Sequence, residues 1–318
     1  MSELISNEIK LNDDYPLISV VIATYNGAKF IRQQMDSIIE QTYPNIEIII
    51  VDDNSTDETI LILETYTKKY PNISIYKCES NLGYVKNFER GFKRAKGYFI
   101  APSDQDDIWH KDKLRILFEN IDNYEIVYCN SALMDENGNL TGKNLSDIKR
   151  LMSFDNPLMY AIGNTAAGHA MLIRKSTLQN CYPFPTMIPH DYWLGFVATF
   201  NSKLNFIDIP LVYYRKHQTN VFGVKSKGVK RKKRNINKQN KLDLIRTRMQ
   251  LQFEKCPVEL KEKKVFQQLN ESYKSFTLAN NFKRMFLFFK YRKEILSYKR
   301  KPNFRKFIFC FKMFVKIA

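Results

Sequence analysis

Short apolar segments that end abruptly in polar clusters alternate with helix-like segments over the first 110 residues. Residues 46–51, for example, are apolar except for Glu47 and stop at the acidic pair Asp52-Asp53. Such a continuous apolar run is typical of a strand that is buried on both faces. The same reasoning predicts strands at residues 18–22, 46–51, 72–78 and 98–101, and helices at residues 30–41, 57–68 and 84–95.

This alternation of strand and helix predicts an α/β fold with a mostly parallel central sheet that is flanked by helices. Ligands of such sheets bind beyond the carboxyl ends of the strands. The polar clusters Thr24–Asn26, Asp52–Asn54 and Asp104–Asp107 each follow a predicted strand directly. We therefore expect them to meet at one edge of the sheet and to form a ligand site there.

The alternation loosens after residue 110, where a mixed sheet with helices is expected to complete the site. Strands are predicted at residues 126–130, 168–174 and 206–214, the last of them broken at Pro210. The chain is expected to divide into an N-terminal extension (1–16), two halves of one domain (17–110 and 111–224), a basic linker (225–241) and a helical, basic C-terminal region (242–318).

The excess of positive over negative charge lies entirely in the last third of the chain. The formal net charge is +17, but residues 1–220 hold 22 basic and 27 acidic side chains, while residues 221–318 hold 28 basic and 6 acidic ones. The first part would therefore repel a polyanion. A nucleic-acid-binding protein is nevertheless the rival interpretation, because basic segments with aromatic residues also bind phosphate backbones and stack on bases.

The five cysteines are widely spaced and include no CxxC pair, which argues against a disulfide framework or a zinc ribbon and favours a reducing compartment. The N-terminus has neither the basic nor the apolar region of a signal peptide. No apolar run reaches the roughly 18 to 20 residues that span a bilayer. We therefore expect a cytoplasmic protein.

Three carboxylates occur within four residues in the segment Asp104-Gln105-Asp106-Asp107. Clustered carboxylates repel one another unless a cation lies among them, and hard divalent ions prefer oxygen ligands. The cluster indicates a Mg²⁺ or Mn²⁺ site whose remaining positions a substrate diphosphate would fill. A solvated acidic turn or a helix N-cap is the more common explanation of an isolated Asp-x-Asp, and the position after a predicted strand is what favours the metal.

The segment Asp52–Asp57 follows the second predicted strand and has two interpretations. Ser55 or Asp53 would make a suitable cap for the helix at residues 57–68. A cap does not require two adjacent acids, however, and a carboxylate at the end of a strand can accept hydrogen bonds from a nucleobase or a ribose hydroxyl.

Four motifs lie in order along the first 110 residues: Val20-Val-Ile-Ala-Thr-Tyr-Asn26, Val51-Asp-Asp-Asn-Ser55, Asn81-Leu-Gly83 and Ser103-Asp-Gln-Asp-Asp-Ile-Trp109. Together they resemble the motifs of family 2 glycosyltransferases, and the last is similar in particular to the bacterial rhamnosyltransferase-like branch that builds surface polysaccharides. The resemblance implies a Rossmann-like GT-A fold and an inverting transfer of a sugar from a nucleoside diphosphate donor to an acceptor hydroxyl.

The resemblance also implies roles for individual residues. Thr24 and Asp52 would contact the base, Asp104 would face the ribose, and Asp106 would bind the metal. Asp107 would be a second metal ligand or a helix cap, and both alternatives stay open. The implied donor site consists of Thr24, Tyr25, Asn26, Asp52, Asp53, Asn81 and Asp104.

Inversion by direct displacement needs a general base on the acceptor side, and the family draws it from an acidic pair further along the chain. The matching segment is Pro189-His190-Asp191-Tyr192-Trp193, which makes Asp191 the candidate base. Burial among Tyr192 and Trp193 would raise its pKa toward the working pH. Asp191 would alternatively cap a helix that begins at Tyr192. His190 replaces an acid of many relatives and would orient Asp191 or contact the acceptor.

The segment Tyr214-Arg215-Lys216-His217 resembles the Tyr-Arg-x-His segment that closes the catalytic region in this branch. Arg215 or His217 would neutralise the leaving diphosphate. His217 and Asp104 are also candidate metal ligands, and an ordinary polar loop is the alternative for the whole segment. His169 and Trp109 are candidates for contacts with the acceptor or the leaving group, although a lone histidine in an apolar segment is more often a core residue.

Residues 282–318 interleave bulky apolar residues with Lys and Arg. On a helical wheel, one side carries Phe304, Phe307, Ile308, Phe311, Phe314 and Val315, and the other carries Arg305, Lys312 and Lys316. A basic amphipathic helix of this kind binds anionic membrane surfaces. The same apolar stripe would also suit packing on the catalytic domain or on a second subunit.

These features predict a metal-dependent glycosyltransferase that associates peripherally with the inner face of the cell membrane. Its expected acceptor is a lipid-linked glycan intermediate, since such an acceptor would make the basic tail useful. A catalytically silent scaffold with the same fold is a further alternative. The intact set of Asp104, Asp106 and Asp191 argues against it.

Overall fold

A central sheet of nine strands is formed within the residues that the computed structural model describes, which are 15–201, 203–217 and 238–315. The strands are β1 (Ile18–Thr24), β2 (Ile46–Asp52), β3 (Ile73–Lys77), β4 (Phe99–Ser103), β5 (Ile108–Trp109), β6 (Ile126–Met134), β7 (Leu140–Asn144), β8 (Met171–Arg174) and β9 (Leu204–Arg215). The predicted linker at residues 225–241 lies largely outside the described residues, as does most of the predicted N-terminal extension.

Helices follow most of the strands and also form the C-terminal region. The first six are α1 (Ile31–Ile39), α2 (Thr59–Thr67), α3 (Tyr84–Arg94), α4 (Lys113–Glu119), α5 (Lys175–Gln179) and α6 (His190–Ala198). The C-terminal five are α7 (Lys238–Lys255), α8 (Glu262–Lys274), α9 (Leu278–Lys290), α10 (Arg292–Ile295) and α11 (Asn303–Val315).

The strand order is β3-β2-β1-β4-β8-β6-β9-β5, with β7 beside β6. The first four strands of this order are parallel to one another, and Thr24 at the end of β1 lies opposite Asp52 at the end of β2. Strand β8 is antiparallel to both β4 and β6, whereas β6 and β9 are parallel. The predicted α/β architecture is confirmed, with a parallel first half and a mixed second half.

Both faces of the sheet are buried, which explains the continuous apolar runs. Successive side chains of a strand point to opposite faces. In β1, Val20 and Ile22 pack in one apolar cluster with α1, while Val21 packs with α3 in the other. No polar stripe is therefore needed along this strand.

Two sequence predictions differ from the structure in detail. The strand predicted at residues 168–174 begins only at Met171, because Gly168–Ala170 form a 3₁₀ turn that leads into β8. The break predicted at Pro210 is a shift of register inside the continuous strand β9. Proline has no N–H group for the ladder, so a local irregularity is its expected effect there.

The C-terminal helices share their core with the second half of the sheet domain. Phe266, Phe288 and Ile295 belong to the same buried cluster as Phe196 of α6. The side-chain amide of Gln252 on α7 donates to the backbone carbonyl of Tyr160 at 2.8 Å. The helices therefore pack directly on the wall that carries α6.

Helix α11 turns its predicted apolar stripe outward. Its buried side consists of Lys306, Cys310 and Met313. The outer side, together with neighbouring residues of α9, forms an exposed surface that we term the aromatic face. It consists of Phe282, Phe286, Phe304, Phe307, Ile308, Phe311 and Val315. Phe314 is half-buried against the ring of Phe282, and Lys316 lies outside the described residues.

Among the described residues, no helix combines the length and the apolar character that crossing a bilayer requires. The aromatic face lies on helices of 13 residues that also carry exposed Arg305 and Lys312. Short helices with both aromatic and basic exposed residues are better suited to lie on a membrane surface than to span a bilayer.

Candidate active site

A cavity of about 750 Å³ opens at the carboxyl ends of β1, β2 and β4. The three polar clusters that follow these strands meet there, as expected. The backbone N–H of Tyr25 donates to the side-chain carbonyl of Gln105 at 2.9 Å, which joins the first cluster to the acidic loop. The sequence-predicted residues on the cavity wall are Thr24, Tyr25, Asn26, Asp53, Asn81, Asp104, Asp106, His169, His190, Asp191 and His217.

Asp52 does not reach the cavity wall, which corrects the expectation that it contacts a base. Its carboxylate accepts hydrogen bonds from the Thr24 hydroxyl (2.8 Å) and from the backbone N–H (2.8 Å) and hydroxyl (2.5 Å) of Ser55. These bonds fix the turn after β2. Asp52 therefore stabilises the turn that underlies the cavity and does not line the cavity itself.

Neither Asp53 nor Ser55 caps α2, because Asp57 accepts the N–H of Thr59 at the start of that helix. The two oxygens of Asp53 accept the backbone N–H groups of Leu82 and Gly83, each at 2.8 Å. Asp53 therefore ties the end of β2 to the loop before α3 while one side of it lines the cavity.

Arg215 is buried beneath the acidic loop and does not line the cavity, contrary to the expectation that it meets the leaving diphosphate. Its Nε donates to the backbone carbonyl of Asp106 at 2.8 Å, and its Nη atoms donate to the carbonyl of Glu136 and the side chain of Gln33. Its backbone N–H donates to Asp107 Oδ1 at 3.0 Å. Arg215 is thus a positioning residue.

Trp109 is 2% exposed and packs in the core behind the loop, so it is not placed to touch an acceptor. The ammonium group of Lys113 lies 3.1 Å from the centre of the Trp109 ring and donates to the carbonyl of His169 at 2.6 Å. Burial lowers the pKa of Lys113 to about 7.

Asp106 and His217 face each other on the cavity wall. Asp106 Oδ2 lies 2.6 Å from His217 Nε2. The His217 ring packs beside the ring of Phe30, with 5.0 Å between the ring centres. A direct hydrogen bond thus joins a carboxylate and an imidazole, both of which line the cavity.

A second group of possible metal ligands lies nearby in the site. Atoms of Asp104, Asp107 and His169 lie within 4.8 Å of one another, and His169 Nε2 is 3.0 Å from the hydroxyl of Ser131. Burial, with repulsion from Asp106 and Asp104, raises the pKa of Asp107 well above its usual value. Burial also acts to raise the pKa of Asp104, but His169, His190 and Lys113 hold it below its usual value.

Asp191 lies in the first turn of α6 and opens onto the cavity, while Pro189 occupies the capping position. Asp191 Oδ1 accepts a hydrogen bond from the backbone N–H of Tyr192 at 2.6 Å. The side chains of Tyr192 and Trp193 do not surround the carboxylate as expected. They point into the core, where they donate to the carbonyls of Tyr160 and Cys181 and anchor the helix.

His190 is 6% exposed and stacks on Phe88, with ring centres 4.0 Å apart. Among the described residues, neither ring nitrogen has a hydrogen-bond partner. Burial lowers its pKa, although the charges of Asp191 and Asp104 oppose this. His190 therefore contributes an uncharged imidazole ring to the cavity wall at neutral pH.

Tyr84 and Lys149 also line the cavity, although neither was predicted as a site residue. Tyr84 begins α3 directly after Gly83, whose φ of 83° is a left-handed value that favours glycine. The Asn81-Leu-Gly83 motif was therefore a usable signal for Tyr84. Lys149 lies in a polar segment without a motif, and nothing local indicates its position.

Replacing His190 with Phe should reduce the loss of stability in acid. Below a pH of about 6.5 an unfolded histidine binds a proton, whereas burial keeps the folded His190 neutral. The unfolded state then binds more protons, so His190 lowers stability as the pH falls through this range. Urea unfolding at pH 8 and pH 5.5 measures this effect. The difference in free energy of unfolding, H190F minus wild type, should be about 1 kcal/mol more positive at pH 5.5 than at pH 8.

Identical pH dependence in H190F and the wild type would contradict the proposed burial of a neutral imidazole.

Comparisons with known proteins identify relatives of the chain. Residues 19–181, more than half of the chain, match the family described as Glycosyl transferase family 2. The dTDP-rhamnosyl transferase RfbG of Shigella flexneri is 34% identical over 64% of this chain and 73% of its own length. The UDP-Glc:alpha-D-GlcNAc-diphosphoundecaprenol beta-1,3-glucosyltransferase WfgD of Escherichia coli is 28% identical over 69% of this chain and 84% of its own length.

The fold is similar to that of S. aureus TarS 1-349, solved in complex with UDP-GlcNAc, with a TM-score of 0.58 and 20% identity over 94% of this chain and 81% of that chain. Several other curated relatives match over only about 40% of their length. The family match and the long alignment with RfbG agree with the motifs at the carboxyl edge of the sheet: the chain belongs to glycosyl transferase family 2.

Proposed function

We propose that the protein is an inverting, metal-dependent glycosyltransferase that moves a sugar from a nucleoside diphosphate to the hydroxyl group of a lipid-linked acceptor. The observation that carries the proposal is a single cavity whose wall contains Asp106, His217 and Asp191. These groups would supply a cation site and a proton acceptor within one cavity.

Asp106 and His217 would hold a divalent cation in place of the 2.6 Å hydrogen bond that joins them, since one offers a carboxylate oxygen and the other an imidazole nitrogen. A nitrogen donor favours Mn²⁺ over Mg²⁺. Asp104 is a further candidate ligand, whereas Asp107 is buried and bonded to the backbone of Arg215. The cation would stabilise the negative charge of the diphosphate as the sugar leaves.

Asp191 would act as the general base. Its carboxylate is held in one orientation by the N–H of Tyr192, and it opens onto the same cavity as the metal ligands. In the proposed reaction, the acceptor hydroxyl gives its proton to Asp191 and its oxygen bonds to the anomeric carbon. The bond from that carbon to the diphosphate oxygen breaks on the opposite side, and the nucleoside diphosphate leaves with the electron pair. Inversion follows from this single displacement.

The donor would lie along the ends of β1 and β2, where Thr24, Tyr25, Asn26 and Asn81 border the cavity. The likeness in fold to a protein solved with UDP-GlcNAc is consistent with a nucleotide sugar. The acceptor named for WfgD is a sugar on diphosphoundecaprenol, which supports a lipid-linked acceptor in polysaccharide synthesis for this chain.

The aromatic face would attach the protein to an anionic membrane at the inner face of the cell. The exposed rings of Phe304, Phe307 and Phe311 would enter the membrane–water interface. The residues after 220 include 28 basic and only 6 acidic side chains, and this positive charge would attract the anionic lipid headgroups. Packing against a second copy of the chain is the competing use of the same surface.

Asp106→Asn should abolish the Mn²⁺-dependent binding of nucleoside diphosphates, because the variant loses a charged ligand of the cation. Titration calorimetry with UDP, GDP and dTDP, in Mn²⁺ and in EDTA, measures this. The exposed Asp155 lies outside the cavity, so Asp155→Asn serves as the matched control. Equally tight nucleotide binding in EDTA would contradict metal dependence.

Asp191→Asn should lower turnover by about 10²–10⁴-fold, the usual range for losing a general base, while the affinity for the nucleotide stays within about twofold. Nucleoside diphosphate release from a screen of nucleotide sugars with lipid-linked acceptors measures turnover. Loss of nucleotide binding with turnover intact would place Asp191 in the donor site instead.

Replacing Phe304, Phe307 and Phe311 with Ser should weaken binding to anionic phosphatidylglycerol vesicles by at least about tenfold, since the apolar contacts with the interface are removed. Added salt should weaken wild-type binding only in part, because the aromatic contribution is not screened. A vesicle sedimentation assay measures both effects. The control replaces the exposed Leu61, Tyr98 and Val258 with Ser.

A wild-type protein that ignores anionic vesicles at low salt would exclude the membrane proposal. Steep, nearly complete salt sensitivity together with tight binding to nucleic acid would favour the rival interpretation.

A further inference from the structure

Lys149 places a positive charge on the wall of the cavity from the segment that follows β7. Its backbone N–H donates to the carbonyl of Leu145 at 2.8 Å, and both residues line the cavity. Lys149 is exposed to solvent, and within the described ranges its ammonium group forms no hydrogen bond or ion pair. A cation on a cavity wall without a protein partner is a ready ligand for an anion.

The Lys149 side chain belongs to the acceptor half of the cavity. It lies close enough to Asp191 for the carboxylate to oppose the lowering of its pKa by burial. The candidate metal ligands Asp106 and His217 come instead from the acidic loop and the end of β9. An anion bound at Lys149 would thus lie beside the proposed base.

Further positive charges lie outside the cavity lining, between Lys149 and α11. Arg150 lies close to Lys306, a residue of α11 that is 7% exposed and whose pKa is lowered by burial and by this neighbouring charge. Arg300 donates to the carbonyls of Ser146 and Asp147 and so fixes the same segment to the C-terminal helices. Like charges held together are stabilised when an anion lies between them.

We propose that Lys149, with the positive charges of Arg150 and Lys306 beyond it, binds the phosphate that joins the acceptor sugar to its lipid carrier. The inference rests on the proposed function, because it takes Asp191 as the site of the attacking hydroxyl. A phosphate at Lys149 places the acceptor sugar beside the base and leaves the lipid chain on the side of α11. The exposed Phe304 and Phe307 of the aromatic face belong to that helix.

Titration of the full-length protein with short isoprenoid probes tests the inference. Farnesyl diphosphate, farnesol and inorganic pyrophosphate are compared in detergent, with Mn²⁺ and a saturating nucleoside diphosphate filling the donor site. The wild type should bind farnesyl diphosphate at least about tenfold more tightly than farnesol or pyrophosphate. Lys149→Gln should remove this advantage, and Lys149→Arg should retain most of it.

Lys143→Gln provides the matched control, because Lys143 lies on the adjacent strand β7, is exposed and does not line the cavity. It should bind all three probes as the wild type does. Thermal unfolding of each variant shows whether a loss of binding reflects a loss of folding, and rescue by Lys149→Arg separates charge from packing.

Three results would overturn the inference. Equal affinities for farnesyl diphosphate and farnesol would exclude a phosphate site, and equal affinities for farnesyl diphosphate and pyrophosphate would exclude a lipid-linked source. A loss of nucleoside diphosphate binding in Lys149→Gln, with farnesyl diphosphate unaffected, would assign the phosphate to the donor. If no nucleoside diphosphate bound the protein, the proposed function would be refuted but the inference about Lys149 would not. The isoprenoid titration without nucleotide would still test Lys149.

Discussion

The buried contact between Arg215 and the acidic loop holds the two halves of the site together. A buried guanidinium is costly unless its donors are satisfied, and here they reach Asp106, Glu136 and Gln33 from three separate segments. Since His217 follows Arg215 by two residues, the same contact sets how His217 meets Asp106. The candidate cation site therefore depends on a residue that faces away from the cavity.

The sequence was sufficient to predict the parallel strands and the edge at which their polar clusters meet. Each of those predictions rests on local patterns, namely apolar runs and the residues directly after them. The roles of Asp52 and Trp109 were not predictable in this way. Asp52 is held by Thr24 and Ser55, and Trp109 is buried by pairing of β5 with the distant strand β9. Such contacts depend on the register between strands.

The C-terminal region also shows a limit of what can be predicted from sequence. The helical wheel of α11 identified an apolar stripe but not whether that stripe packs inward. In the structure the narrower stripe of Lys306, Cys310 and Met313 faces the core. The bulkier aromatic stripe stays outside, because α9 and α10 already fill the core with Leu287, Phe288 and Ile295. Periodicity defines the faces of a helix, and tertiary packing decides which face is covered.

The three carboxyl groups of the acidic loop differ in how readily each keeps a negative charge. Burial and the neighbouring carboxyls raise the pKa of Asp107 well above its usual value, whereas His169, His190 and Lys113 hold the pKa of Asp104 below its usual value. Asp104 lines the cavity and Asp107 does not. The loop therefore favours negative charge on its cavity side over its buried side, which gives a short acidic segment a direction.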